Sequence, residues 1–245
     1  MKEFKVINIG NNIGGGNTGQ LYEAKIEYDG REIDCLAKLV NSIFSKDSID
    51  AHDLMIDVES DYLMKVYGSN THNGKEYIFM EDLRNFNELY FYLSSIEERI
   101  ECKFVLDIAI CLGNAIASMH KKNYIHGDIH LGNVMFNSIN NTTKLIDFDK
   151  VKKEFDLSCD CKQYATAIAH VIIFYTKQKE KRPCSGSYMS DMACLNVNEK
   201  KIICECRSNI EKVINGSMAN FSSNLHTITR IIEESIGNIK DTTSA

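Results

Sequence analysis

The sequence has no surplus of positive charge, no long hydrophobic run and almost no proline. Lys and Arg total 28 against 34 Asp and Glu, a formal charge of −6 over 245 residues. That balance argues against nucleic acid as the chief partner, since phosphate backbones are held mainly by clustered lysine and arginine. No apolar run reaches the ~18 residues expected of a membrane span; the longest candidate, Ala165 to Tyr175, is short and carries His170. The first ten residues lack the apolar core of a secretory signal. Internal repeats and low-complexity linkers are absent. The single proline, Pro183, with Ser185-Gly186-Ser187, marks a loop between helices. Nine cysteines, an odd number scattered along the chain, do not form a disulfide framework and read as reduced thiols acting as small hydrophobes. The Cys-x-Cys pairs at 159/161 and 204/206 lack the spacing and the histidines of a zinc site.

What is present is ordinary globular composition, 44% hydrophobic and 25% charged, enough for a sizeable core. The first third alternates strand-like runs with turns: Phe4 to Ile9, Gln20 to Tyr28, Glu32 to Val40 and Tyr77 to Met80. Asp29-Gly30 and Asn73-Gly74 are hairpin dipeptides between such runs. From about Glu97 the apolar period becomes helical, with Phe104, Ile108, Leu112, Ala115 and Met119 on one face. Helical patterning returns over Asp160 to Tyr175 and Leu225 to Ile239. Strands first and helices later predict an α+β fold in two lobes, crossing over near Asp82 to Asn87.

Four features carry chemistry. Gly14, Gly16 and Gly19 fit G-x-G-x-x-G, whose backbone can approach a polyphosphate closely. A strand-like run, not a helix, follows, so the glycines cap a hairpin and a dinucleotide fold is excluded. Lys38 lies on the strand after that hairpin and can point at phosphates under the glycine loop. In a helix spanning 51–63, Glu59 is the acid that falls inside the apolar arc, where a carboxylate needs a partner such as Lys38. Last, Asp128, Asn133 five residues on and Asp147 after an apolar strand are oxygen donors of the kind that hold Mg²⁺ in phosphoryl transfer.

In order and spacing these features resemble the protein-kinase-like superfamily over roughly residues 5 to 176. The resemblance implies a bilobal fold, residues 1–83 forming a β-rich N-lobe and 84–245 a mainly helical C-lobe. It casts Gly14, Gly16 and Gly19 as the nucleotide loop, Lys38 as the phosphate anchor and Glu59 as its helix partner. Met80 takes the gatekeeper place, and the backbones of Glu81 and Leu83 meet the adenine edge. Asp128 becomes the catalytic aspartate, His126 the structural histidine of its loop, and Asn133 and Asp147 the metal ligands. ATP and Mg²⁺ are the implied cofactors and Ser or Thr of a protein the implied acceptor.

Three departures stand out: Gly127 where an arginine is usual, Asp149 in place of the Asp-Phe-Gly glycine, and His130 in place of a phosphate-contacting lysine. The run His-Gly-Asp-x-His-x-Gly-Asn is closer to aminoglycoside and choline phosphotransferases. A small-molecule phosphotransferase is therefore one alternative, and a nucleotide-binding pseudokinase another. Asp147 and Asp160, which opens the large C-lobe helix, are too close for a phosphorylated activation segment. An enzyme active as synthesised, or switched on by a binding partner, is expected. Small size and the missing segment resemble minimal kinases that bacteria secrete into host cells, which implies a host protein substrate and action in the host cytoplasm.

Overall fold

The computed structural model describes residues 4–16, 19–40, 45–97, 100–179, 187–216, 218 and 221–242. The chain opens with strands β1 (Phe4–Gly16), β2 (Gly19–Tyr28) and β3 (Arg31–Val40), then helix α1 (Ser45–Met55) and strands β4 (Val66–His72) and β5 (Lys75–Met80). They form one antiparallel sheet in the order β1-β2-β3-β5-β4. Both dipeptide turns close hairpins with left-handed backbone, Asp29 at φ 53° and Asn73 at φ 51°, the twist that suits tight antiparallel connections.

Period-two alternation decides which side chains reach the cleft. On β3, Cys35 and Ala37 enter the cluster on the outer face of the sheet with Ile26, Tyr67, Tyr77 and Phe79. Leu36 and Val40 face the other way, with Ile78 and Met80 of β5, and Lys38 shares their parity. Full burial of Ile26 and Phe79 contributes about 2–3 kcal/mol each to holding that sheet.

The rest is mainly helical: β6 (Asn87–Glu88), α2 (Leu89–Ser95), α3 (Cys102–His120), β7 (Tyr124–Ile125), β8 (Val134–Asn137), β9 (Thr142–Leu145), β10 (Lys152–Lys153), α4 (Ser158–Lys179), α5 (Tyr188–Ala193), α6 (Val197–Ile214) and α7 (Phe221–Thr242). Helix α4 is the central post, with Val171 through Lys177 all buried. Its Lys177 and His170 both bind Asp191 of α5, at 2.7 and 2.9 Å, so the buried charge is paired. Helix α6 starts with a capping box between Asn196 and Glu199. Helix α3 is long and apolar enough to cross a membrane by length and composition, a feature the run-length reading did not flag. Half of that stretch is buried inside the fold, as in a core helix. Of the described cysteines, Cys35, Cys161 and Cys206 are buried among apolar neighbours, as small hydrophobes. Pro183, Cys184, Ser185 and Gly186 lie outside the described residues.

Helix α1 corrects the expected helix over 51–63. It stops at Met55, and the chain from 56 to 61 turns. After the turn at Tyr62, Leu63 forms a bridge with Leu145: Leu145 donates to the Tyr62 carbonyl at 2.9 Å and Met64 donates to the Leu145 carbonyl at 3.0 Å. A tertiary backbone pairing outcompetes a weakly helical Asp-Val-Glu-Ser-Asp run.

The helix instead places His52 inside, 1% exposed, its ring edge-on to Phe148. Burial, then the nearby Lys38 charge, hold the imidazole down at about 4, so it is neutral near pH 7. Its folded value lies below its unfolded one, so its contribution is complete above about pH 6.5 and is lost as pH falls toward 4. That loss amounts to about 3 kcal/mol. The melting temperature of wild type should drop from pH 7 to pH 5 more steeply than that of His52→Leu; parallel curves would contradict this.

Candidate active site

The two lobes enclose a cavity of about 480 Å³. Its apolar walls come from Leu21, Leu36, Met64, Met80, Met135 and Ile146, and its polar end from Lys38, Asn133 and Asp147. The connecting segment passes along one side. There the carbonyl of Glu81 and the N–H of Leu83 enter no hydrogen bond among the described residues, leaving an acceptor and a donor beside the cavity. The Glu81 side chain turns away to Lys144 of β9 at 2.8 Å, and its N–H donates to Lys65, which pins the segment across both lobes.

Of the candidate glycines, Gly19 lines the cavity; Gly14 and Gly16 sit on the hairpin and are not among its described lining residues. A Cβ at Gly19 would strike the Leu39 carbonyl, so close strand packing demands glycine there. Asn17 and Thr18 lie outside the described residues.

The catalytic loop is held from beneath by α4. Asp160, fully buried, accepts from the N–H groups of His126 and Gly127 at 2.8 and 2.9 Å and from His120 Nε2 at 3.0 Å. Gln163, one turn on, donates to the Gly127 carbonyl and accepts from the Ile129 N–H. Gly127 has φ 76°. The missing arginine therefore has a backbone cause: this loop turns through a left-handed residue that a side chain would strain. His126 donates from Nε2 to the Ile146 carbonyl at 2.9 Å and packs against Phe148. Burial pushes its pKa down, so it serves as a neutral pillar.

This loop brings Asp128 close enough to Asp147 for the two carboxylates to repel, although Asp128 is not among the described lining residues of the cavity. Asn133 donates from its amide nitrogen to the Asp128 carbonyl at 2.8 Å, which leaves its amide oxygen for a cation. Asp147, at φ 65°, follows strand β9 onto the same side. Burial first, then the neighbouring Asp149 carboxylate, raise its pKa. A carboxyl raised by burial and like charge, beside an amide oxygen, is a donor set that a divalent cation would stabilise, so the residues fit Mg²⁺. Lys150 reaches the Asp128 carboxylate at 2.9 Å. His130 instead caps the short 3₁₀ turn at Leu131–Asn133, accepting from the Gly132 N–H at 3.1 Å.

Glu59 is not part of this constellation. It lies beyond the end of α1 and is exposed, and Lys38 makes its ion pair with Asp149 at 2.7 Å. The assignment failed with the helix phase. Burial disfavours the Asp149 carboxylate, yet hydrogen bonds from Lys38 and Ser48 outweigh it and hold the group at about 2. Asp149, Ser48, Asp160 and Gln163 are the site residues that sequence reasoning left without these roles. The signal for Asp149 was the odd residue itself, read only as a lost glycine.

A β-rich lobe over a helical lobe, with Lys38, Asn133 and Asp147 on the cavity between them and Asp128 and Asp149 beside these, is the arrangement of a kinase-like nucleotide site. A family model described as protein tyrosine and serine/threonine kinase matches residues 7–176, and the chain belongs to that family. Its class chemistry is phosphoryl transfer, with ATP as donor. A search among curated proteins found no match.

Proposed function

We propose that the protein is an ATP- and Mg²⁺-dependent kinase that phosphorylates Ser or Thr of a protein, as one domain with lobes 1–83 and 84–245. The observation that carries the reading is the placement of Lys38, Asn133 and Asp147 on one cavity, with Asp128 held beside them by the bond from Asn133 to its carbonyl. The Glu81 carbonyl and the Leu83 N–H receive the adenine edge, and Lys38 meets the phosphates. Asn133 and Asp147 would hold Mg²⁺, which when bound would neutralise charge on the transferring group. Asp128 orients the acceptor hydroxyl and takes its proton as the oxygen bonds to the γ-phosphorus and the bond to ADP breaks. Lys150, beside Asp128, is placed to stabilise the phosphoryl oxygens.

A protein acceptor is supported by the groove beside the catalytic loop, about 730 Å³, walled by Tyr90, Phe91, Ile129, His130 and Tyr188. An enzyme for polycationic small molecules needs a cluster of acids there, and Glu88 is the one carboxylate among the described lining residues. Three acids of the C-terminal third are engaged elsewhere: Glu199 in its capping box, Glu211 with Arg207 and Glu234 with Arg230. The retained Lys38, Asp128, Asn133 and Asp147 count against a pseudokinase.

The direct connection from Asp149 to α4, with Gly127 offering no arginine to a phosphate, supports activity without activation-loop phosphorylation; an activating partner is the other route. Compactness and the missing segment support the setting of a bacterial effector acting on a host protein in the host cytoplasm. The acceptor is tested by incubating the protein with labelled ATP and Mg²⁺, with a eukaryotic lysate or with small alcohols and amines. Label on protein Ser or Thr is expected; turnover with small acceptors alone would overturn this choice.

A further inference from the structure

The lysine of the cleft takes its carboxylate from the C-lobe. Lys38 Nζ lies 2.9 and 2.7 Å from the two oxygens of Asp149, and the side chains are only 10% and 16% exposed. Facing this pair from α1 is Ser48, whose hydroxyl donates to Asp149 Oδ1. One turn further along, His52 Nδ1 stands 3.7 Å from the same carboxylate. The helix thus offers the cleft a hydroxyl and an imidazole, while its acids Asp47, Asp50 and Asp53 are exposed. Asp53 accepts instead from Ser69 on β4.

We propose that Asp149 is the positioning residue that orients Lys38 toward the nucleotide phosphates, with Ser48 supporting it from α1. The proposal rests on the phosphoryl-transfer reading above. A flexible ammonium aims well only when a fixed anion holds it, and a 1 Å misplacement is costly in transfer reactions. Here that anion stands two residues from Asp147, so the lysine anchor and the metal-binding acid belong to one short segment. Displacing α1 would remove a neutral hydrogen bond and leave the ion pair closed. In kinases whose helix carries the acid, the same displacement opens the pair. Control by helix movement therefore has little leverage on Lys38 in this chain. The carboxylate is already engaged by Lys38 on both oxygens and by Ser48, which suits an anchor better than an additional metal ligand.

The test moves the charge. Asp149→Asn keeps the shape and removes the anion, and its kcat should fall about 100-fold with a native circular dichroism spectrum. Asp149→Gly combined with Ser48→Glu returns the carboxylate to the helix and should recover about tenfold or more over Asp149→Gly alone. A second readout uses nucleotide-free protein: acylation of Lys38 by acetic anhydride, followed by mass spectrometry. It should be several-fold faster in Asp149→Asn and slow again in the double variant, because the ion pair shields the amine.

Activity of Asp149→Asn within about twofold of wild type would overturn the proposal. So would recovery of that variant by excess Mg²⁺ with no gain from Ser48→Glu, which would assign Asp149 to the metal. If wild type itself transfers no phosphate, the kinase reading fails, and the labelling comparison still decides the pairing.

Discussion

Replacing Asp128 by asparagine should lower kcat about 10³-fold while nucleotide affinity and fold remain. The two side chains have the same shape, but the amide cannot accept the hydroxyl proton. The loop that carries residue 128 is fixed through its backbone: Asn133 binds the carbonyl at 128, and Asp160 and Gln163 hold the preceding and following residues. None of those bonds uses the Asp128 carboxylate. The contacts that are weakened, to Lys150 at 2.9 Å and to His130 at 3.9 Å, involve side chains 62% and 56% exposed, so their loss has little effect on stability. Steady-state kinetics beside titration with a fluorescent nucleotide separates the two quantities. A variant retaining a tenth or more of wild-type kcat would remove the proton-acceptor role.

Asp160→Ala should be the most damaging substitution for stability, at about 4 kcal/mol. It strands the buried N–H groups of His126 and Gly127 and the His120 imidazole, which accepts at its other nitrogen from the Met218 N–H. One carboxylate therefore fastens the catalytic loop to α4 and, through His120, to the segment before α7. Against a typical domain stability of about 5–15 kcal/mol, that is a large share. Urea unfolding reads it directly, and Asp160→Asn should fall between, because one acceptor oxygen survives. A loss below about 1 kcal/mol for the alanine variant would show that the loop does not depend on this group.

Lys38, Asp128, Asn133 and Asp147 could be read from the chain because their spacing is set by local elements: a strand, a loop of fixed length and a second strand. The two-lobe α+β order was legible for the same reason, since the change from period two to period 3.6 is local. The partner of Lys38 was not. It depended on the phase of α1, and that phase is set by a distant strand, through the capture of Tyr62 and Met64 by Leu145. Asp149 lies 111 residues from Lys38 in the chain, a pairing no periodicity reveals. Gly127 read as a lost arginine, whereas its φ of 76° gives it a positive reason to be glycine. Asp160 was recognised as the start of a helix, but its three donors come from segments that only the fold brings together. Helix α6 escaped notice because its polar residues dilute the apolar stripe of Ile203, Cys206, Ile210 and Ile214.

The most direct measurement incubates purified, phosphatase-treated protein with γ-labelled ATP and Mg²⁺ in the presence of a eukaryotic lysate, with Asp128→Asn as the blank. Label on Ser or Thr of a protein with wild type, and none above background with the variant, is the predicted result. Nucleotide binding without transfer to any acceptor, or activity that returns only after rephosphorylation between residues 147 and 165, would contradict it.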